Sequence, residues 1–144
     1  MKQPQSKRRC LTPSPQATIK VRNLRLRTFI GFNPEEKAKK QDVVINIEIN
    51  YHLGNEVLND HVEQALNYKN VTKRVISYVE EGRFLLLERL VADVLGICSD
   101  HPDVIHSRVT IDKPNALRFA DSVSLSLEYR SEVANQLRIL EKAS

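Results

Sequence analysis

Val43, Ile45, Ile47, Ile49 and Tyr51 fall on one side of an extended segment, and Val44, Asn46, Glu48 and Asn50 fall on the other. A period of two sends successive side chains to opposite faces, so one face of this strand belongs to a core and the other to water. Half-wet strands of this kind are built into antiparallel sheets. The chain therefore needs partner strands beside this segment and a second layer over its apolar face.

The partners can be read on either side. Ile19 to Phe29 forms a strand with Ile19 and Val21 on one parity and Leu24 and Leu26 on the other, and the switch at Arg22-Asn23 predicts a bulge. Gly31, Asn33 and Pro34 make a turn, and the charged run from Glu35 to Lys40 reads as a solvated hairpin loop. After a polar linker at Gly54-Asn55 and Asn59-Asp60 the period changes: Tyr68, Val71, Val75 and Val79 recur at helical spacing, and Gly82 ends the run. A second helical seam follows in Phe84, Leu87, Val91, Val94 and Cys98, widened by Leu90, Leu95 and Ile97 and closed by His101-Pro102. Val109 to Lys113 and Val123 to Tyr129 alternate again as two further strands. The predicted fold is α+β: strand, strand, helix, helix, strand, strand, with an antiparallel sheet and both helices on one face.

Its boundaries follow from charge and composition. At 144 residues the chain fits one domain. Residues 1–17 read as a disordered basic tail, 18–130 as the folded domain, and 131–144 as an extension whose Val133, Leu137 and Leu140 predict a terminal helix from Glu132 to Glu141. Four of the 22 basic residues (Lys2, Lys7, Arg8, Arg9) lie in the tail, which leaves 18 basic against 18 acidic residues from Thr18 onward. The net charge of +4 thus belongs to the tail, which argues against a nucleic-acid face on the folded domain. Cys10 and Cys98 make no disulfide framework, and no apolar run is long enough for a membrane helix, so a cytoplasmic location is expected.

Most common site chemistries find no support. His52, His61, His101 and His106 lack the spacings that bring imidazoles together on a strand or helix, so no metal site is expected. A glycine-rich phosphate loop and a G-x-S-x-G elbow are both missing. What remains is Lys113, on the same strand parity as Val109 and Ile111 and stopped by Pro114. A lysine snorkelling out of a strand end is the ordinary explanation. Two further residues complicate it: Glu88, on or beside the apolar face of the second helix, and Tyr68, at the start of the first. An acid and an amine carried by apolar surfaces are how proteins assemble acid–base sites.

Taken in order, Asn23-Leu24-Arg25-Leu26-Arg27-Thr28-Phe29-Ile30-Gly31, Ala65-Leu66-Asn67-Tyr68, Gly82-Arg83-Phe84-Leu85-Leu86-Leu87-Glu88 and Ile111-Asp112-Lys113-Pro114 resemble the dihydroneopterin aldolase family over roughly Thr18 to Arg130. The resemblance implies the tunnelling fold, with sheets of four subunits joining into one barrel, two rings stacked as a homo-octamer, and active sites between neighbouring subunits. It implies a small pterin substrate and no cofactor. By position, Glu88 matches the acid that anchors the pterin, with the Leu87 backbone beside it. Lys113 matches the general acid–base lysine, Tyr68 the active-site tyrosine, and Glu36 the loop glutamate, for which Glu35 is the immediate rival.

The implied chemistry is a retro-aldol step without a Schiff base, because the dihydropterin C6=N5 imine accepts the electrons itself. The runs Leu24 to Gly31, Leu66-Asn67-Tyr68 with Val71-Thr72-Lys73, and Leu117 to Ser124 resemble the branch that inverts C2′ of 7,8-dihydroneopterin triphosphate to give the monapterin epimer. Lys69, Lys73, Arg74 and Arg118 are the candidates for gripping the phosphates. The alternative is cleavage of dihydroneopterin to 6-hydroxymethyl-7,8-dihydropterin and glycolaldehyde, and a non-catalytic pterin-binding scaffold is the alternative of another class.

Overall fold

Val43, Ile45, Ile47 and Ile49 are each no more than 1% exposed, because β2 (Gln41–His52) runs through the middle of the sheet. The computed structural model describes residues 15–132. The tail up to Ser14, and all but the first residue of the expected terminal helix, lie outside the described residues. Five strands lie in the order β3-β1-β2-β4-β5, with β1 at Gln16–Ile30, β3 at Arg83–Phe84, β4 at Val104–Pro114 and β5 at Ser122–Arg130. β1, β2, β4 and β5 pair antiparallel.

The bulge falls where the parity switch predicts it, between Val21 and Leu24. Asn23 takes φ 54° there, a left-handed conformation that asparagine tolerates better than most residues. Its backbone N–H donates to Asn46 Oδ1 at 3.0 Å and Asn46 Nδ2 donates back to Asn23 Oδ1 at 3.3 Å. The bulge turns the parity of β1, so Leu26 and Ile30 beyond it reach the core.

Four helices complete the described chain: α1 (Pro34–Ala38), α2 (Asn55–Leu58), α3 (Tyr68–Glu81) and α4 (Leu87–Cys98), with a 3-10 turn at Val62–Gln64. α3 buries Val75 and Val79 and packs on β1; α4 buries Leu90, Val91, Val94, Leu95 and Cys98 and packs on β4 and β5. Each such side chain contributes about 1.5–3 kcal/mol on leaving water. Burial pushes the Cys98 thiol up to about 12, so this cysteine is a small core residue. Thr28, fully buried, donates to the Val79 carbonyl at 2.5 Å and so satisfies one of the last-turn acceptors of α3.

Several segments differ from the sequence pattern, among them the polar linker, which carries α2 and the 3-10 turn, and β4, which begins at Val104. Gln16 and Ala17 belong to β1 and not to the tail, paired with His52 and Tyr51. The run from Glu35 to Lys40 is not a plain loop, since Glu35 to Ala38 belong to α1. Phe84 does not join the second helix: with Arg83 it forms β3, which pairs parallel with Phe29 and Ile30 and makes the sheet mixed. β4 carries on one residue past Lys113, because Pro114 pairs with Ser122 at the sheet end without needing an N–H.

Candidate active site

Lys113 lies where its parity puts it. Val109 and Ile111 are fully buried on that face of β4, and at the end of the strand the Lys113 side chain is still only 14% exposed. An ammonium so placed needs a partner. Glu36 supplies it, with Lys113 Nζ donating to Glu36 Oε2 at 2.8 Å.

Glu36 is delivered by a capping box. Asn33 caps α1, its side chain accepting from the Glu36 N–H at 2.9 Å while the Glu36 carboxylate accepts from the Asn33 N–H at 3.5 Å. Pro34 at the first helical position fixes the entry. Gly31 makes the space: it takes φ 123°, and a Cβ there would stand 2.1 Å from Glu36 Cδ. The hydrogen bond from Lys113 lowers the Glu36 carboxyl below its ordinary value; burial opposes this, and Gln41, the Lys113 charge and the Asn33 N–H reinforce it. Glu35, one residue earlier, is exposed, and the bond to Lys113 is made by Glu36.

The pair borders a cavity of about 300 Å³ lined by Gly31, Phe32, Glu36, the 85–88 segment, Lys113, Ala116 and the β5 residues 123–125. Leu87 and Glu88 are the first two residues of α4, so their backbone N–H groups have no partner within the helix. Glu88 lies beside the apolar seam, three residues before buried Val91, and is exposed toward this opening. Phe84 lies outside the helix, so the spacing of four from it does not define a helix face, and Val91 and Leu95 are what set Glu88 beside the seam. Phe32, Leu85 and Leu86 also line the cavity and are large, exposed apolar side chains.

The match to known proteins covers most of this fold. The family model described as dihydroneopterin aldolase fits residues 19–128. The chain belongs to the dihydroneopterin aldolase family. It is 48% identical over 116 residues to the dihydroneopterin triphosphate 2′-epimerase of Escherichia coli K12, covering 81% of this chain and 97% of that one. The enzyme of the same name from Pseudomonas aeruginosa is 50% identical over 111 residues, 77% of this chain and 90% of the relative. Against the dihydroneopterin aldolase of E. coli K12 the identity falls to 28% over 108 residues, 75% and 88% of the two chains. The crystal structure of E. coli dihydroneopterin aldolase in complex with neopterin superposes with a TM-score of 0.72 at 26% identity, covering 78% of this chain and 98% of that one. The α+β domain thus has the tunnelling fold of the dihydroneopterin aldolase family.

Within this family member's chain, the fold gathers Lys113, Glu36, Leu87 and Glu88 around one cavity and places Tyr68 at another. Tyr68 is 52% exposed at the first position of α3, beside a separate cavity shared with Val62, Leu66 and Lys69. The 14-residue α3 is about 20 Å long, and its other end is the one bonded to Thr28. The candidate phosphate ligands are also divided. Lys69 lies beside Tyr68, Lys73 is exposed on α3, and Arg74 pairs with Asp100 at 3.4 Å. Arg118 stacks against Phe119 in the β4–β5 turn, its guanidinium 5.5 Å from the ring centre. Sequence reasoning missed Gln41, which donates to both Glu36 and Ile30; it had also passed over Asn33-Pro34-Glu35-Glu36, a legible capping-box signal that singles out Glu36.

Proposed function

We propose that the protein is an enzyme that inverts C2′ of 7,8-dihydroneopterin triphosphate by a retro-aldol and aldol sequence. The observation that carries this reading is the Lys113–Glu36 pair at the mouth of a cavity whose far wall presents Glu88 and the free N–H groups of α4. A dihydropterin offers a guanidine-like edge and a carbonyl. A carboxylate accepts from the first and helix N–H groups donate to the second. Glu88 and the Leu87 backbone therefore anchor the ring, and the substrate side chain extends toward Lys113.

The proton on the 2′-hydroxyl leaves as the C1′–C2′ bond breaks, giving an aldehyde at C2′. The electron pair of that bond moves into C1′=C6, and N5 takes up a proton. Lys113 is the proton-transfer group, with Glu36 keeping the ammonium placed and accepting from the substrate hydroxyls. If the aldehyde stays bound, turns over and is attacked on its other face, C2′ is inverted and the bond is restored. Release of the aldehyde instead gives cleavage.

Two features support an assembled site. β5 and the outer side of β1 before Phe29, where β3 no longer covers it, are strand edges without a neighbour among the described residues, which a second copy can pair. Tyr68 and Lys69 are remote from Lys113 within one subunit, so a neighbouring copy is the source that brings a tyrosine and a cation to it. A homo-octamer of two tetrameric rings fits both. Phosphate retention by Lys69, Lys73, Arg74 and Arg118 favours epimerisation over cleavage.

Incubating the protein with dihydroneopterin triphosphate and, separately, with dihydroneopterin tests the reading. Chromatography resolves epimer from released aldehyde. Conversion of the triphosphate to its 2′-epimer is the expected main reaction, and dominant cleavage of dihydroneopterin would make the protein an aldolase.

A further inference from the structure

The geometry points to Gln41 as a positioning residue that holds the Glu36 carboxylate at the angle the reaction needs. This rests on the proposed function above. Gln41 is the first residue of β2, opposite Thr28 on β1, and its side chain turns toward the segment joining β1 to α1. From there Nε2 donates to the Ile30 carbonyl at 2.5 Å and to Glu36 Oε2 at 3.2 Å.

Both partners are acceptors, so the amide must present its NH2 group to them; the reverse orientation would set an oxygen against two oxygens. Ile30 is held in its turn, because it pairs with Phe84 in the short parallel ladder and the next N–H, that of Gly31, donates to the Phe84 carbonyl at 2.9 Å. Gln41 thereby ties the carboxylate to the sheet instead of leaving it on a five-residue helix alone.

The consequence for chemistry lies in how the two oxygens are used. Oε2 accepts from both Lys113 and Gln41, whereas Oε1 has a single long contact of 3.5 Å, to the Asn33 N–H. Gln41 thus fixes which oxygen serves the lysine and leaves the other with acceptor capacity for a substrate hydroxyl. Without it the carboxylate is free to turn about its terminal torsion, which is a soft one.

Two variants separate this role from simple packing. Gln41→Met keeps length and volume and removes both donated bonds, while Gln41→Glu keeps the shape and replaces the donor by a second acceptor. Three quantities are read in each: kcat and KM on the triphosphate, the acid limb of the pH profile of kcat/KM, and the titration of the Glu36 carboxyl carbon by 13C NMR. The Glu36 signal is assigned by its loss in Glu36→Gln. We expect Gln41→Met to lose about tenfold in kcat with little change in KM. The acid limb and the Glu36 midpoint should both rise, and rise further in Gln41→Glu.

Wild-type kcat together with an unmoved Glu36 midpoint in Gln41→Met would overturn the assignment. Should the wild-type protein turn over no pterin at all, the proposed function fails instead, and the Glu36 midpoint in the folded Gln41→Met protein still decides whether Gln41 acts on Glu36.

Discussion

Lys113 Nζ and Glu36 Oε2 come from positions 77 residues apart in the chain and meet at 2.8 Å, at the end of one strand and in the first turn of a five-residue helix. Neither side chain is more than about a fifth exposed, at 14% and 21%, so the pair is screened less than a surface ion pair. Replacing Glu36 by Gln removes the charge and keeps the shape. Turnover is expected to fall about tenfold to a thousandfold while the far-ultraviolet spectrum stays native; undiminished kcat/KM would remove Glu36 from the mechanism.

The same pair makes a pH prediction. Glu36 titrates below the ordinary value of 4.5 in the folded protein, chiefly because of the hydrogen bond from Lys113. A depressed folded value means the unfolded chain binds the proton more readily, so the stabilisation is complete above the unfolded value and is lost as pH falls through the folded one. Denaturant midpoints measured downward from pH 6 should therefore fall less steeply in Glu36→Gln than in wild type below about pH 4.5. Parallel curves would show that the pair adds no stability.

Gly31→Ala tests how the carboxylate is accommodated. The residue needs φ 123°, and the new methyl would lie 2.1 Å from Glu36 Cδ. A cost of about 1–3 kcal/mol is expected from the backbone alone, with a larger loss of turnover than of stability because Glu36 must move. Calorimetry and kinetics on the same sample decide it.

Much of this arrangement is legible from the residues. Period two in β2 and β4 places Lys113 on the buried face, and the parity switch at Arg22-Asn23 locates the bulge. The pairing of Lys113 with Glu36 is not legible, because it depends on how the chain turns between β1 and β2, and no periodicity reports that. The start of the second helix differs for a related reason. The seam through Phe84 looks helical at spacings of three and four, yet Phe84 is held by β3 pairing with β1, a tertiary contact that overrides the local pattern. Tyr68 and Lys69 differ again: within the chain they line a cavity separate from that of Lys113, and no local pattern reports which cavities a fold keeps apart.

Glu88→Gln separates binding from chemistry. Its carboxylate faces the cavity from the first turn of α4. Losing a charge-assisted acceptor for the pterin edge should weaken neopterin binding by about 1.5–3 kcal/mol. Fluorescence titration checks this, and unchanged affinity would place the ring elsewhere.

Thr28→Val tests the tie between sheet and helix away from the chemistry. The buried hydroxyl serves the Val79 carbonyl at 2.5 Å, and its loss leaves that acceptor with the long 3.4 Å bond from the Gly82 N–H. Stability should drop by about 1–3 kcal/mol with kcat little changed. Urea unfolding of the variant gives the answer.

The central claim is that Lys113 moves the proton. Lys113→Ala, supplied with 7,8-dihydroneopterin triphosphate and assayed for the 2′-epimer alongside a neopterin-binding titration, tests it most directly. The variant should keep its assembly, still bind neopterin and lose at least about a hundredfold in epimer formation. Epimer appearing at the wild-type rate would contradict it.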